Sequence, residues 1–230
     1  MTSQDVHPLS GPVEDYLKAI YDLERVGEPA STNDIALRLA ISPASVSGMV
    51  RRLADQGLIT HEPYRGVRLT NEGRHAALRT LRRHRILECY LTEVLGFPWD
   101  RVHEEAERLE HAASEDLIER MASALGDPKQ DPHGAPIPTR DGRVEEMRLV
   151  TLADALPSER LRVRRVEDDD AERLRYLAKL GIRPGSLVRI LDKAPFEGPI
   201  TLWVDAPGGG VTRAVGVGLA AQVFVETAAD

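Results

Sequence analysis

The chain has few of the features that mark a secreted or membrane-bound protein. It carries one cysteine, Cys89, which excludes an internal disulfide framework and suits a reducing cytoplasm. No apolar run approaches the ~20 residues of a membrane span. Residues 1–10 lack the basic and apolar regions of a signal peptide and read as a short disordered arm. An overall excess of positive charge is also missing: the formal net charge is −7 over 230 residues, which on a global view argues against nucleic acid as a partner. What is present is 42% hydrophobic content, enough for packed cores, and an ordinary 29% of charged residues.

Local charge reverses the global picture. Residues 42–85 contain nine arginines against Asp55, Glu62 and Glu72, a balance of +6. Residues 100–120 contain eight acids against Arg101, Arg108 and Arg120, a balance of −5. A basic block beside an acidic one points to two tasks, one facing an anion and one facing a cation.

The apolar spacing predicts a helix over 13–26, with Val13, Leu17, Ile20 and Tyr21 on one face and Asp15, Lys18 and Asp22 on the other, ended by Gly27-Glu28-Pro29. Two helices follow. Caps are available at Ser31 to Asp34, Ile35, Leu37 and Leu39 supply apolar contacts, and Pro43 sits in the first turn of a helix running to about Gln56, with Gly57 beyond it. Strands are expected at 58–62 and 67–70, joined by a turn at 63–66. Thr70 or Asn71 caps a long helix over 72–95, and further helices are expected at 99–112 and from Ser114 to Leu125. Gly126 to Gly142 is a proline-rich loop or linker, and Leu149 to Ala155 adds a short piece. After Leu161 the pattern becomes strands at 161–166, 187–191, 200–204 and 223–225 with a helix at 171–180, for which a small barrel is the natural closure.

Residues 32–70 therefore spell helix, turn, helix and a two-stranded wing. In that arrangement the second helix enters the major groove. Its leading residues Ser42, Ala44, Ser45, Ser47 and Gly48 are small and mostly polar, which permits close approach and hydroxyl contacts to bases or phosphates. Arg51 and Arg52 follow on the same helix, and Tyr64 and Arg65 occupy the wing tip. A helical hairpin without a ligand and a protein-binding winged helix are the bland alternatives.

On a continuous helix His103, Glu107, Glu110 and His111 stand at i, i+4, i+7 and i+8, so two imidazoles and two carboxylates share one stripe. Like charges so placed repel, and a divalent cation with mixed nitrogen and oxygen ligands would offset them. The alternative is a solvated acidic face. His84 and Glu88, one turn apart on the preceding helix, have chelating spacing, although surface His-Glu pairs are common.

The runs Arg83-His84-Arg85-Ile86-Leu87-Glu88 and Val102 to His111 resemble the diphtheria toxin repressor family of metal-activated iron and manganese regulators. Glu14 to Tyr21 is similar to that family's opening helix, Pro132 to Pro138 to its proline-rich loop, and Leu180 to Gly185 to its C-terminal SH3-like domain, so the resemblance covers about 12–227. It implies a mainly α protein with small β parts: a winged helix-turn-helix DNA-binding domain at 1–74, a helical metal-binding and dimerisation domain at 75–145, a linker at 146–160 and an SH3-like (FeoA-like) β-barrel at 161–230. It also implies a cytoplasmic homodimer that binds a two-fold double-stranded operator of metal-homeostasis genes once metal has ordered it, with no catalysis and no membrane partner. By linkage, metal that favours the DNA-competent shape raises DNA affinity, and DNA raises metal affinity equally. The candidate dimer seam is Leu91, Leu95, Leu117, Ile118 and Met121.

The family's primary metal site maps onto Asp15, Glu107, Glu110 and His111. Iron-type members carry Met where Asp15 stands and Cys where Glu107 stands. The carboxylates here match manganese-type members, so Mn²⁺ is expected, with Fe²⁺ as the alternative and Zn²⁺, Co²⁺ or Cd²⁺ as in-vitro substitutes. Dinuclear manganese members carry Glu where this chain has Lys18, which argues against a bridged metal pair, with Asp22 as a weak substitute ligand. The ancillary site maps onto His84, Glu88 and His103, with a fourth ligand near Asp170. A fifth falls at Arg173, which cannot ligate, leaving Glu172 in its place. His7, His61 and His75 read as solvent-facing or wing residues, His133 as a support of the proline-rich loop, Cys89 as a buried small side chain, Trp99 and Trp203 as packing residues, and Asp168 to Asp170 as a strand-to-helix turn. Two other functions compete: a winged-helix regulator answering a non-metal ligand or partner protein, and a metallohydrolase suggested by His103-Glu104-x-x-Glu107, whose last ligand is not the His of the zinc motif.

Overall fold

A computed structural model describes residues 9–24, 29–62, 65–157 and 160–228. The expected N-terminal arm with His7, the end of the first helix at 25–28, and Pro63 and Tyr64 of the wing turn lie outside the described residues, apart from Leu9 and Ser10. Two compact units divide the chain, one built from residues 1–84, 109–115 and 138–143, the other from 85–108, 116–137 and 144–230.

The first unit begins with α1 (Gly11–Glu24), whose Leu17 and Ile20 are wholly buried beside Val13, Tyr16 and Tyr21. Ser31 starts α2 (Thr32–Arg38) by accepting the Asp34 N–H on its hydroxyl oxygen, and Ser42 starts α3 (Pro43–Asp55) by accepting the Ser45 N–H. Helix α3 turns Val46, Val50 and Leu53 inward at i, i+4 and i+7. Leu37 was expected to pack but is 83% exposed: it lies on the outer face of α2, where Ile35 and Ala36 take the buried positions. The wing is the antiparallel pair β1 (Ile59–Glu62) and β2 (Gly66–Leu69), with Ile59 opposite Leu69 and Glu62 opposite Gly66. Thr70 then accepts the Gly73 N–H and donates to Gly57 O, which fixes the start of α4 (Asn71–Glu93) against the end of α3.

The second unit takes the later part of α4, all but the last residue of α5 (Val102–Leu109), all but the first residue of α6 (Glu115–Ala124), and the proline-rich loop as far as Ile137. Its largest part is a six-stranded antiparallel sheet of β3 (Val150–Thr151), β4 (Arg160–Val166), β5 (Leu187–Lys193), β6 (Ile200–Val204), β7 (Val211–Val215) and β8 (Val223–Thr227), in the order β3-β8-β4-β5-β6-β7. The core holds Leu161, Val163, Ile190, Leu202, Val204 and Val225, together with Leu174 and Leu177 of α7 (Ala171–Leu180). Register shifts at Val163/Arg165 and Ile190/Asp192 mark bulges, which add local twist. Strand β7 and the short α8 (Val217–Ala220) were not expected: Gly208-Gly209-Gly210 before β7 hid a five-residue strand among turn signals. The proline-rich loop is ordered and fastened to the sheet. Val166 donates to His133 O at 2.9 Å, and at Gly134, with φ of +88°, a Cβ would stand 1.8 Å from Arg164 O, so only glycine fits. No helix among the described residues is long and apolar enough to cross a membrane.

Candidate metal centres and nucleic-acid interface

In the first unit, α1 presents Glu14, Asp15 and Lys18 toward the segment that follows α5. That helix ends at Leu109 instead of continuing to 112. Its last turn tightens, with Ala112 N–H bonding Leu109 O, and Glu110 and His111 stand in the turn beyond, so the expected unbroken four-residue stripe does not form. The turn places Glu110 wholly inside while His111 keeps a partly open side chain.

Asp15, Glu110 and His111 each offer a ligand atom, and these atoms lie within 4.8 Å of one another. His111 Nε2 is 2.9 Å from Asp15 Oδ1 and 3.6 Å from Glu110 Oε1. On the ring's other side, Nδ1 meets Glu14 Oε2 at 2.7 Å, and Glu14 is itself held by the buried guanidinium of Arg83. Carboxylates only accept, so without a metal both ring nitrogens donate, Nδ1 to Glu14 and Nε2 to Asp15; a metal held by Asp15 and Glu110 would take the place of the Nε2 proton while Glu14 keeps the proton on Nδ1, the way a ligating imidazole is oriented. Glu110 Oε1 accepts from Lys18 Nζ at 2.7 Å, and Oε2 lies 2.5 Å from His84 Nδ1. Burial opposes ionisation of Glu110, but the His84 hydrogen bond and the charges of Lys18 and His84 prevail and hold its carboxyl below the usual range. Burial likewise opposes protonation of His111, yet its bond to Glu14 and the charges of Asp15 and Glu110 raise its pKa above the ordinary histidine value. One imidazole and two carboxylates, partly open to solvent through Asp15 and His111, fit a hard or borderline divalent ion.

A second cluster lies wholly in the second unit. Glu88, Asp131 and His133 are all buried, and their ligand atoms also lie within 4.8 Å of one another. His133 Nε2 donates to the Trp99 carbonyl at 2.7 Å, while Trp99 stacks on the same ring. In the neutral ring the other nitrogen, Nδ1, then carries the lone pair. It has no hydrogen-bond partner and looks toward Glu88 Oε1 at 3.8 Å and Asp168 Oδ2 at 3.7 Å. A lone pair facing two carboxylates at a largely buried site fits a cation. Asp131 Oδ1 accepts the His133 and Ala135 N–H groups, leaving Oδ2 with an Arg85 ion pair at 3.3 Å but no hydrogen bond. Burial, with the Glu88 charge, pushes the Asp131 carboxyl up to about 6. His103 Nδ1 completes the group, 3.2 Å from Glu88 Oε1 and 3.6 Å from Asp168 Oδ2.

At the ancillary site expected from resemblance, one further acid joins the expected residues. Glu88 and His103 meet. The acid that reaches them is Asp168, whereas Asp170 caps α7 by accepting the Glu172 and Arg173 N–H groups and pairs with the Arg173 side chain. Glu172 is exposed in the first turn of that helix. His84, one turn before Glu88 on α4, bonds Glu110. Glu107 stands one turn after His103 on α5, 3.8 Å from its Nε2. Sequence reasoning missed Glu14 and Arg83 as orienting groups, and Asp131, His133 and Asp168 as cluster members. The signal available was the Asp131-x-His133-Gly134 loop beside a buried acid.

On the DNA-reading element, Ser42, Ala44, Ser45, Ser47, Gly48, Arg51 and Arg52 are all exposed on or beside α3. A Cβ at Gly48 would meet nothing within 4 Å, so the first turns of α3 are open to a ligand. Arg65 is exposed at the wing and pairs with Glu62, while Tyr64 lies outside the described residues.

A winged helix with an open, small-residue second helix, joined in one chain to buried carboxylate-imidazole clusters, defines a metal-dependent DNA-binding regulator. Comparison with known proteins gives the family. "Iron dependent repressor, N-terminal DNA binding domain" matches residues 8–67, "Iron dependent repressor, metal binding and dimerisation domain" matches 70–139, and "FeoA domain" matches 150–227. The iron-dependent repressor IdeR of Mycobacterium leprae is 35% identical over 198 residues, covering 80% of this chain and 86% of that protein. The diphtheria toxin repressor of Corynebacterium diphtheriae is 32% identical over 199 residues, covering 82% and 87%. Among solved structures, a manganese-dependent transcriptional repressor in complex with manganese superposes with a TM-score of 0.86 at 39% identity, covering 94% of this chain and all of that one. ScaR with bound Cd²⁺ gives 0.81 at 31% identity, covering 94% and 99%. The chain belongs to the iron-dependent repressor family that includes the diphtheria toxin repressor; it is a metal-dependent DNA-binding repressor, and its family consists of transcription regulators, not enzymes.

Proposed function

We propose that the repressor answers manganese, with Fe²⁺ as the alternative activator. The observation that carries this reading is the donor set of the first cluster. Asp15, Glu110 and His111 come together without a sulfur ligand, and oxygen-rich sites suit Mn²⁺ better than softer ions. Glu107 is the fourth proposed ligand, by its match to the family pattern, and His84 supports Glu110. The metal would supply a fixed double positive charge tying α1 to the 110–111 turn, and α1 packs beside the DNA-reading helices of the same unit. Ser42, Ala44, Ser45, Ser47, Gly48, Arg51, Arg52, Tyr64 and Arg65 are the proposed DNA contacts.

Glu88, Asp131, His133, His103 and Asp168 form a second proposed metal centre, in which ion binding would steady the proline-rich loop on the sheet. Asp170 and Glu172 stand outside this centre: the Asp170 side chain caps α7, and Glu172 is exposed in its first turn. The manganese complex among the similar structures agrees with this choice of metal, while the iron-dependent relatives keep Fe²⁺ in view. A homodimer is the proposed DNA-binding form. Of the expected seam, Leu95 and Leu117 are 58% and 43% exposed, whereas Leu91 and Ile118 are buried within the subunit; together with the exposed Val94 and Phe97, Leu95 and Leu117 offer the apolar surface of a dimer seam, and two winged helices would meet the half-sites of one operator. The proposed setting is the cytoplasm.

The test is fluorescence anisotropy on a duplex from upstream of a manganese-transport gene, with chelated protein titrated with Mn²⁺, Fe²⁺ or Zn²⁺. Tight binding with Mn²⁺ at the lowest free concentration supports the assignment. Equal binding with all three, or binding indifferent to metal, opposes it.

A further inference from the structure

Lys18 stands where a second cation would act. It lies one turn after Asp15 on α1, so the helix that brings a carboxylate to the first cluster also brings an ammonium. Its side chain is 13% exposed, and Nζ sits 2.7 Å from Oε1 of Glu110, whose side chain is wholly buried. A buried carboxylate without a counter-charge is strongly disfavoured. Lys18 supplies that charge on Oε1, and His84 Nδ1 meets the other oxygen, Oε2.

Oε1, the oxygen held by Lys18, is also the Glu110 atom nearer His111 Nε2, at 3.6 Å. A divalent ion ligated through Glu110 and His111 must therefore contend with an ammonium bound to the same oxygen. Either the two cations stay close and repel, or Lys18 withdraws and its buried ion pair is lost. Both routes lower metal affinity relative to a site lacking the lysine.

We infer that Lys18 is a built-in competitor for the metal: it keeps Glu110 compensated when no metal is bound and raises the metal concentration at which the repressor switches on. This rests on the reading of Asp15, Glu110 and His111 as a metal site. The inference turns on one contact, the ammonium on the ligand oxygen, and its opposite is physically definite: a lysine that only aims Glu110 would strengthen metal binding.

The experiment uses the full chain with Lys18→Met, Lys18→Gln and Lys18→Arg, and with Asp15→Ala to define the site. Mn²⁺ affinity is read by competition with a fluorescent chelator, and melting temperature is read with EDTA and with Mn²⁺. Lys18→Met and Lys18→Gln are expected to bind Mn²⁺ about tenfold or more tightly than the native chain, given the size of close charge repulsion in partly buried sites. Lys18→Arg, which keeps the charge, is expected to stay near native affinity. The neutral variants should melt lower than the native chain in EDTA and gain more from Mn²⁺. If Lys18→Met fails to fold, Lys18→Gln carries the comparison. Neutral variants with unchanged or weaker Mn²⁺ affinity overturn the inference while leaving the site intact. Asp15→Ala is expected to lose one Mn²⁺ equivalent and keep the one held at the second centre; an Asp15→Ala chain that binds as many equivalents with the same affinities as the native chain overturns the site reading itself, whatever the lysine variants do.

Discussion

Replacing Gly134 by alanine tests whether the proline-rich loop is locked by close approach to the sheet, as the second cluster requires. Two costs arise. The backbone at φ +88° is disfavoured for any residue with a Cβ, at ~1–2 kcal/mol. The new Cβ would also start 1.8 Å from Arg164 O, where real contacts begin near 3.0 Å, so the loop must lift by roughly 1.2 Å. That movement stretches the 2.9 Å bond from Val166 N–H to His133 O out of range and leaves a buried donor unpaired, a further ~1–3 kcal/mol. The sum is roughly 2–5 kcal/mol. Gly185→Ala is the matched control, since its φ is +91° and nothing lies within 4 Å of the added Cβ, so only the backbone cost of ~1–2 kcal/mol applies. Urea unfolding followed by tryptophan fluorescence is suitable because Trp99 and Trp203 both belong to the second unit. Gly134→Ala should be the less stable variant by ~1–3 kcal/mol and should weaken metal binding at the second cluster. Equal losses in the two variants would refute the argument that the loop is held by this approach.

Asp168→Ala should weaken metal binding at the second cluster, measured by chelator competition. Asp170→Ala should leave that binding intact and instead lower the helix content and melting temperature through loss of the α7 cap. The Glu110 carboxyl has a folded-state pKa below its unfolded value of 4.5, so its contribution to stability is present above about pH 4.5 and lost as pH falls further. In EDTA, native stability should therefore drop more steeply below that pH than the stability of Glu110→Gln, and parallel curves would contradict the assigned direction. DNA affinity should fall steeply with salt, and Arg51→Ala or Arg52→Ala should each reduce the slope of log affinity against log salt by about one. A flat salt response would rule out phosphate binding by α3.

The elements most legible in the sequence were those with strong periodicity and caps. Ser31, Ser42 and Thr70 start their helices as their side chains dictate, and α7 and the wing strands match their expected spans within a residue or two. Misreadings arose where tertiary contacts override local pattern. The 103–111 run has helical spacing throughout, yet α5 stops at Leu109 because Glu110 turns inward to Lys18 and His84. His133 reads locally as a loop residue. Only the folded chain shows that Trp99 O fixes its tautomer and that Glu88 and Asp168 face its free lone pair. Within Asp168-Asp169-Asp170, nothing local separates the residue that caps a helix from the one that reaches a histidine. The strand preceding residue 168 and the helix following residue 170 decide it. The significance of Lys18 is half legible: a lysine among candidate ligands is visible in the sequence, but its placement on Glu110 Oε1 is not.

Metal at the first cluster is proposed to drive operator binding. The most direct measurement is operator affinity of the native chain and of Asp15→Ala, each with EDTA and with saturating Mn²⁺. Asp15 is partly exposed, so its removal deletes a ligand without opening the core. Mn²⁺ should strengthen native binding by roughly 5–150-fold, the range of ordinary allosteric coupling, and leave Asp15→Ala near its metal-free affinity. A variant that gains as much from Mn²⁺ as the native chain would contradict that role for the metal.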